Sequence, residues 1–286
     1  MVAAEPLRET PGLDLAEDGI APPAGQPDTR SMSVKEIRDL LKCLAEPDVE
    51  LFCRLTRDPR STVRDLGYSN LGRKRNLAAN EDLFREGGVR MIAGADEAGR
   101  GSLAGPLVAA AVMFEPGVRI KGVNDSKVLL PERREELYSE IIRRAVSISV
   151  VSLDAGLIDR WGLQLVNKKA LADALTGIRP TCDAAICDHF QLAGLGFPTF
   201  GIPHADAIFH SVAAASIVAK VERDRVMRGI SCRFPGYGFM NNKGYATEEH
   251  MAALVELGPC EIHRLSFASV SPDAVEVQLW DAEDEP

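Results

Sequence analysis

The sequence lacks the signatures of several classes of protein. Its 286 residues contain no apolar run near the roughly 18 residues that a membrane-spanning helix needs, and the N-terminus lacks the basic and then apolar order of a secretory signal. The six cysteines form no C-x-x-C pair, and Cys260 and His263 make a single C-x-x-H without a partner pair. We therefore predict a cytoplasmic protein with reduced thiols and no zinc site.

Two nucleotide-binding motifs are also missing. The glycine-rich segment at residues 94–106 has no G-K-[S/T] ending, and G-x-G-x-x-G does not occur. A P-loop NTPase or another nucleotide-dependent switch is therefore the least favoured reading. No internal repeat is visible.

The charge is unevenly distributed along the chain. The net charge of −9 argues against a nucleic-acid partner at first sight, because phosphate binding depends on lysine and arginine. Residues 1–30 contribute −4 and residues 273–286 contribute −6, so without them the total of −9 becomes +1. We predict acidic, disordered tails at 1–32 and 273–286 around a nearly neutral body.

Between the tails, the pattern changes once. Residues 33–88 predict a small helical N-terminal extension, whose first helix begins at a capping box formed by Ser33 and Glu36. The main domain is predicted at residues 89–272. Its strands are expected at 89–95, 107–114, 145–153, 184–187 and 199–202, and its helices at 131–144, 163–175, 208–228 and 247–257. This order predicts an α/β fold in which a mixed sheet has helices on its faces.

The densest chemical signal is the adjacent pair Asp96 and Glu97. On a regular strand their side chains would point to opposite faces, but at a strand end relaxed by Gly99 and Gly101 both could turn toward one site. Several carboxylates together suit Mg²⁺ or Mn²⁺ in a phosphodiester-cleaving site. Taken alone, an Asp-Glu pair is more often a pair of surface acids at a turn.

Two further acids are placed where strands end or helices begin. Asp188 follows a buried apolar run, and strand ends are where sites gather in such sheets. Asp206 precedes the longest predicted helix, where helix capping is the ordinary role. With Asp96 and Glu97 they would form a site of four carboxylates.

Several motifs together resemble ribonuclease HII over residues 89–270. They are D-E-A-G-R-G-S-L-A-G-P from Asp96, N-D-S-K at 124–127, A-A-S-I-V-A-K-V-E-R-D at 214–224, N-K-G-Y-A-T at 242–247 and I-H-R-L-S-F at 262–267. The segment around Asp58 also resembles an N-terminal extension of some bacterial members. The related ribonuclease HIII is disfavoured, because that group usually has Y-F-G-P where this chain has L-A-G-P.

The resemblance implies a ribonuclease H-like five-stranded mixed sheet and cleavage 5′ to a ribonucleotide in RNA-DNA hybrid or in duplex DNA. Such an enzyme would serve ribonucleotide excision repair and primer removal, and it would be a monomer. By similarity, Asp96, Glu97, Asp188 and Asp206 would hold two Mg²⁺ or Mn²⁺ ions. The remaining implied positions contact substrate: Gly99, Arg100 and Gly101 at the RNA-DNA junction, Tyr245 on the next deoxyribose, and Lys127, Lys243 and Lys220 on phosphates.

Three departures from the family pattern concern the third and fourth aspartates. His189 stands where a glycine usually follows Asp188, and Ala205 stands where a glycine commonly precedes Asp206. After Asp206, the usual basic or small residues are replaced by Ala207, Ile208, Phe209 and His210. They leave a second hypothesis open, a hybrid-binding module without catalysis. Metal-dependent turnover separates the two hypotheses. Arg264 is interpreted as structural.

Overall fold

The computed structural model describes residues 28–44, 48–70, 77–86, 88–123 and 129–270. Residues 1–27 of the predicted N-terminal tail, the whole predicted C-terminal tail and the candidate phosphate contact Lys127 lie outside the described residues. No helix in the described ranges combines the length and the hydropathy needed to cross a membrane.

A five-stranded mixed sheet forms the centre of the fold. Its strands are β1 (Ile92–Ala98), β2 (Leu107–Met113), β3 (Ser147–Leu153), β4 (Ala184–Asp188) and β5 (Thr199–Ile202). Their order is β3-β2-β1-β4-β5, with β1, β2 and β3 antiparallel and with β4 and β5 parallel to β1. The parallel strands therefore end on the same edge, where the polar site lies.

Helices cover both faces of this sheet. In chain order, the helices of the main domain are α5 (Pro131–Arg144), α6 (Ala155–Trp161), α7 (Leu163–Thr176), α8 (His210–Ser231), α9 (Phe239–Asn242) and α10 (Glu248–Leu257). Alternate residues of β2 pack in two separate clusters. Ala109 and Ala111 pack with α7, whereas Ala110 and Val112 pack with α8 on the other face. A strand buried on both faces explains why the sequence of β2 is uninterrupted apolar.

The N-terminal extension is helical, as predicted. It contains α1 (Val34–Cys43), α2 (Val49–Leu55), α3 (Ser61–Asn70) and α4 (Leu77–Glu86). The predicted capping box is present, with the Ser33 hydroxyl accepting from the Glu36 N–H and Glu36 accepting from the Ser33 N–H. Such caps stabilise a helix by about 1 kcal/mol. The predicted α/β class with a helical extension is confirmed.

Several boundaries differ from the sequence-based expectation. The first strand was expected at 89–95 but runs from Ile92 to Ala98, so it includes both carboxylates of the Asp-Glu pair. The long helix begins at His210 rather than 208, and the chain before it makes a short 3-10 turn, Ala205–Ala207. The sequence also gave no signal for α6 and α9, which are too short for a clear apolar period.

Candidate active site

Two aspartates lie side by side on neighbouring parallel strands. Cys187 of β4 is in register with Ala95 of β1, which places Asp188 beside Asp96 at the carboxyl ends of these strands. Register partners in parallel strands point to the same face. That face is covered by α8, because Gly94, two residues before Asp96, lies directly against the backbone of Ser211 and Val212.

Glu97 projects from the opposite face of the same strand. The pairing of β1 with β2 continues in regular register through Asp96, Glu97 and Ala98, so side chains alternate there. Glu97 Oε1 accepts a hydrogen bond of 3.0 Å from Asn167 Nδ2 on α7. The strand end expected from Gly99 and Gly101 therefore lies beyond both acids, and Glu97 leaves β1 on the side of α7.

Asp206 lies in the 3-10 turn that follows β5. It is buried, and the N-cap of α8 is Phe209 without a side-chain cap, so the helix-capping role considered for Asp206 is wrong. The turn is tied to β4, since the Ala205 N–H donates to Asp188 Oδ1 at 2.9 Å. This contact joins the segments that carry the third and fourth acids.

The four acids share one electrostatic environment. Burial raises the pKa of Asp96 well above its usual value, and the negative charges of Glu97, Asp188 and Asp206 raise it further, against a hydrogen bond from Ser216. An ionised Asp96 is therefore unfavourable without a compensating cation. The structure thus brings the four predicted acids to one edge of the sheet.

These acids suit a divalent cation by their chemistry. Their donors are all carboxylate oxygens, which hard ions such as Mg²⁺ and Mn²⁺ prefer, and the charges that shift the Asp96 pKa are all negative. In the described ranges, no three His, Cys, Asp or Glu side chains stand as a ready-made metal cluster. The case for a divalent cation therefore rests on the four carboxylates as donors and on the repulsion between their negative charges.

The glycine-rich loop, residues 99–106, follows β1 at this edge. Gly99 has φ +91°, and a Cβ added there would lie 2.0 Å from Arg223 Nε, so only glycine fits beside this arginine. Arg100 is exposed, and its guanidinium lies 5.4 Å from the Phe190 ring centroid. The position of Gly101 is open, with no atom within 4 Å of an added Cβ.

Two fully buried arginines donate hydrogen bonds to the backbone of this loop. Arg223 of α8 donates to the carbonyls of Pro106 and Ala104 and to the Ser102 hydroxyl. Arg264 donates to the carbonyls of Gly105 and Arg100. These contacts agree with the structural interpretation of Arg264. The burial of Arg223 beneath this loop could not be predicted from helix periodicity alone.

The loop that carries Tyr245 packs against the glycine-rich loop. The Gly244 carbonyl accepts hydrogen bonds from the N–H groups of Leu103 and Ala104. Lys220 Nζ and Arg223 Cζ each lie 5.0 Å from the Tyr245 ring centroid. Tyr245, Lys220 and Lys243 line one groove of about 500 Å³. Lys220 also pairs with Asp224 at 2.7 Å, and Lys243 donates to the Met240 carbonyl.

A chain of two buried histidines supports the Tyr245 loop. His250 Nδ1 lies 2.9 Å from the Tyr245 carbonyl, and His250 Nε2 lies 3.0 Å from His263 Nε2. Because a carbonyl only accepts, His250 donates to it from Nδ1, and His263 then donates from Nε2. His263 Nδ1 accepts from the Cys260 N–H. Both rings are therefore neutral, and Cys260 and His263 extend the chain of hydrogen bonds that supports this loop.

This histidine chain predicts a loss of stability in acid. Burial lowers the pKa of His250, and it lowers the pKa of His263 to about 4, against about 6.5 when unfolded. Between these values the unfolded chain binds more protons, so the free energy of unfolding falls as pH decreases from about 6.5 to 4. We expect a loss on the order of 2 kcal/mol by pH 4.5, measured by urea unfolding.

The variant His263→Gln serves as the control for this prediction. It removes one titrating ring, so the difference between its pH profile and that of the unchanged protein isolates the contribution of His263. His210 is also buried with a pKa lowered to about 4, and it remains in both proteins. Parallel profiles would contradict the prediction.

The departures after the third and fourth acids are accommodated locally. His189 has φ +61°, a conformation that glycine adopts readily and other residues adopt at a cost, which explains the usual glycine. Its N–H donates to the Ile202 carbonyl, and its exposed ring packs edge-on against Phe190. Ile208 and Phe209 are fully buried. These replacements are thus packed within the fold next to the acids.

Sequence reasoning missed two polar groups that contact the acids. Asn167 bonds to Glu97, and Ser216 bonds to Asp96. Both lie on buried faces of helices that pack on the sheet. A polar residue on a buried helix face was the available signal, because such a residue needs a partner.

A mixed five-stranded sheet with acids at the ends of its parallel strands defines a ribonuclease H-like protein. A model of the family described as Ribonuclease HII matches residues 93–270. A ribonuclease HII of Salinispora tropica is 44% identical over 215 residues, which is 74% of this chain and 77% of the relative. One from Lactobacillus acidophilus is 38% identical over 249 residues, which is 84% of this chain and 98% of the relative.

A solved structure shows the same fold. The ribonuclease H2 of Pyrococcus horikoshii OT3 superposes with a TM-score of 0.56 at 26% identity, covering 66% of this chain and 99% of that one. The chain belongs to the ribonuclease HII family. It is therefore an endonuclease of the ribonuclease H type, from a family that depends on divalent metal.

Proposed function

We propose that this enzyme hydrolyses the phosphodiester 5′ to a ribonucleotide in RNA-DNA hybrid or duplex DNA, leaving 3′-hydroxyl and 5′-phosphate ends. The observation that carries the proposal is the buried Asp96, surrounded by the negative charges of Glu97, Asp188 and Asp206. Such a cluster suits divalent cations, which would stabilise the negative charge of a phosphodiester in its transition state.

In this proposal, the four acids hold two divalent ions. Asp96 and Asp188 bind from adjacent strand ends, Asp206 from the 3-10 turn, and Glu97 from the end of β1. When bound, Mg²⁺ or Mn²⁺ would activate water and neutralise charge on the scissile phosphate. Asn167 and Ser216 orient the carboxylates of Glu97 and Asp96, which limits their motion before cleavage.

The glycine-rich loop is proposed to recognise the ribonucleotide. Gly99, Arg100 and Gly101 lie at the carboxyl end of β1, next to the acids, and the 2′-OH is the group that distinguishes RNA from DNA. Exposed Gly101 lets the backbone approach a sugar closely. The carbonyl contacts of Arg223 and Arg264 preorganise the loop, so little ordering is needed when substrate binds.

Tyr245 is proposed to select the deoxynucleotide after the ribonucleotide. Its ring is partly exposed in the groove that Lys220 and Lys243 also line, so these lysines are proposed phosphate contacts. Lys127 is proposed by similarity for the same role. The ring would pack on a deoxyribose and clash with a 2′-OH at that position.

We further propose a monomeric, cytoplasmic enzyme that acts in ribonucleotide excision repair and primer removal.

The experiment that tests this function is cleavage of an end-labelled DNA duplex with one ribonucleotide. We expect a single cut on its 5′ side with Mn²⁺ or Mg²⁺, none with EDTA, and none in the all-DNA duplex. Binding without any metal-dependent cut would favour the alternative, a hybrid-binding module without catalysis. The retained acids and the local accommodation of His189 support an active enzyme.

Substitution of Tyr245 tests the proposed selectivity. We expect Tyr245→Ala to lower kcat/KM on the single-ribonucleotide duplex roughly ten-fold, since stacking on a nucleotide contributes about 1 to 3 kcal/mol. Cleavage within a continuous RNA strand should fall less, so the ratio of the two rates narrows. Tyr245→Phe keeps the ring and should keep the ratio. An unchanged ratio in Tyr245→Ala would rule out this role.

A further inference from the structure

The segment that carries Asp206, residues 203–211, lies between the sheet and the N-terminal extension. On its inner side it touches the site, through the hydrogen bond from Ala205 N–H to Asp188 Oδ1. The segment contains the 3-10 turn Ala205–Ala207 and ends in the first two residues of α8. His204, just before the turn, is in the left-handed region at φ +58°. A single turn has few hydrogen bonds of its own, so its position depends on its neighbours.

The N-terminal extension bonds to this segment at three points along it. The Tyr68 hydroxyl donates to the Pro203 carbonyl at 3.0 Å, and Asn80 Nδ2 donates to the Ile208 carbonyl at 2.6 Å. Glu81 Oε1 accepts from the Ser211 N–H at 2.6 Å. Asn80 and Glu81 are buried. The bonds therefore flank Asp206 on both sides along the chain.

Apolar packing joins the same two parts. Phe84 of α4 packs edge-on against Phe209 and Phe200, with ring centroids 5.8 and 5.2 Å apart. Phe52 and Tyr68 join Ala205, Ile208 and Phe209 in one buried cluster. Ile208 and Phe209 are the residues that replace the family's usual basic or small ones. The departures in sequence thus coincide with contacts to the extension.

We infer that the N-terminal extension positions Asp206, and so sets the affinity of the site for divalent metal. This inference rests on the proposed function, in which Asp206 is a metal ligand. Tyr68, Asn80 and Glu81 act through their hydrogen bonds to the segment 203–211. The extension thus supports the metal site through protein contacts and needs no contact with nucleic acid.

The variant Asn80→Ala tests the inference in the full-length protein. Mn²⁺ binding to metal-free protein is measured by the EPR signal of free Mn²⁺, without substrate. Loss of one buried hydrogen bond should weaken Mn²⁺ binding roughly three- to ten-fold. The Mn²⁺ concentration for half-maximal cleavage should rise by the same factor, while kcat at saturating Mn²⁺ and KM for the duplex stay within about two-fold of the unchanged protein.

A matched control is Asn70→Ala. The Asn70 amide donates within α3, to the Leu66 carbonyl, so this variant should leave Mn²⁺ binding unchanged. A second variant, Tyr68→Phe, removes one hydroxyl and tests the same idea if Asn80→Ala does not fold. It should also weaken Mn²⁺ binding, by a factor of about three.

The outcomes separate this inference from the proposed function. If Asp206→Asn weakens Mn²⁺ binding but the folded Asn80 and Tyr68 variants do not, the positioning role is overturned and the metal site stands. If Asp206→Asn has no effect on Mn²⁺ binding, the ligand assignment itself fails. A higher KM for the duplex with unchanged Mn²⁺ binding would make the extension a nucleic-acid contact and overturn the inference.

Discussion

Replacing Asp96 with asparagine is expected to reduce cleavage of the single-ribonucleotide duplex by about 10³-fold or more. A bound metal stabilises the transition state by several kcal/mol, and each 1.36 kcal/mol is a factor of ten in rate. Asp96 lies at the centre of the acids, since the charges of the other three all act on it. Single-turnover rates at saturating Mn²⁺ measure the loss.

The same substitution should not destabilise the metal-free protein. Burial and three neighbouring negative charges disfavour the ionised Asp96, so a neutral amide removes an unfavourable charge. We expect the unfolding temperature in EDTA to be equal or higher. Asp173→Asn is the matched control, because the Asp173 carboxylate pairs with Lys169 on α7, and it should retain full activity. Comparable activity of Asp96→Asn and Asp173→Asn would refute the mechanism.

The substitution Gly99→Ala is expected to cause the largest loss of stability. A left-handed conformation costs a residue with a side chain about 1 to 2 kcal/mol. The new Cβ would also lie 2.0 Å from Arg223 Nε, and overpacking of this kind costs about 1 to 3 kcal/mol. We therefore expect the free energy of unfolding to fall by about 2 to 5 kcal/mol, measured by urea denaturation.

A matched substitution is available two residues further along. At Gly101 an added Cβ meets no atom within 4 Å, and φ is not in the left-handed region. Gly101→Ala should therefore change the free energy of unfolding by less than about 0.5 kcal/mol. Any loss of its activity would then report on substrate approach to the loop. Equal destabilisation by the two substitutions would contradict the proposed contact between Gly99 and Arg223.

Local sequence patterns predicted the elements whose cause is local. The capping box at Ser33 and Glu36 marked the start of α1, and Pro131 marked the start of α5. The helix expected at 247–257 is α10, which is capped by Thr247, whose hydroxyl accepts from the His250 N–H. These signals depend on neighbours within a few residues, so they can be read from the chain directly.

Errors arose where a contact between distant segments decides the structure. The end of β1 was placed before Asp96, but the pairing of Glu97 with Ala109 and of Ala98 with Val108 extends the strand. Asp206 was considered a helix cap, but residues from the extension, over 120 positions away in sequence, bond to its segment. No local pattern contains that information.

By itself, the sequence determined the class of fold and the family, and it supplied the four acids of the proposed site. Those depend on local periodicity, on turn-forming glycines and on a set of motifs that occur in order. Only the tertiary structure decided which face each acid takes, that Arg223 and Arg264 are buried beneath the glycine-rich loop, and that the extension packs on the Asp206 segment. Each of these depends on the register of β1 or on the packing of segments remote in the chain.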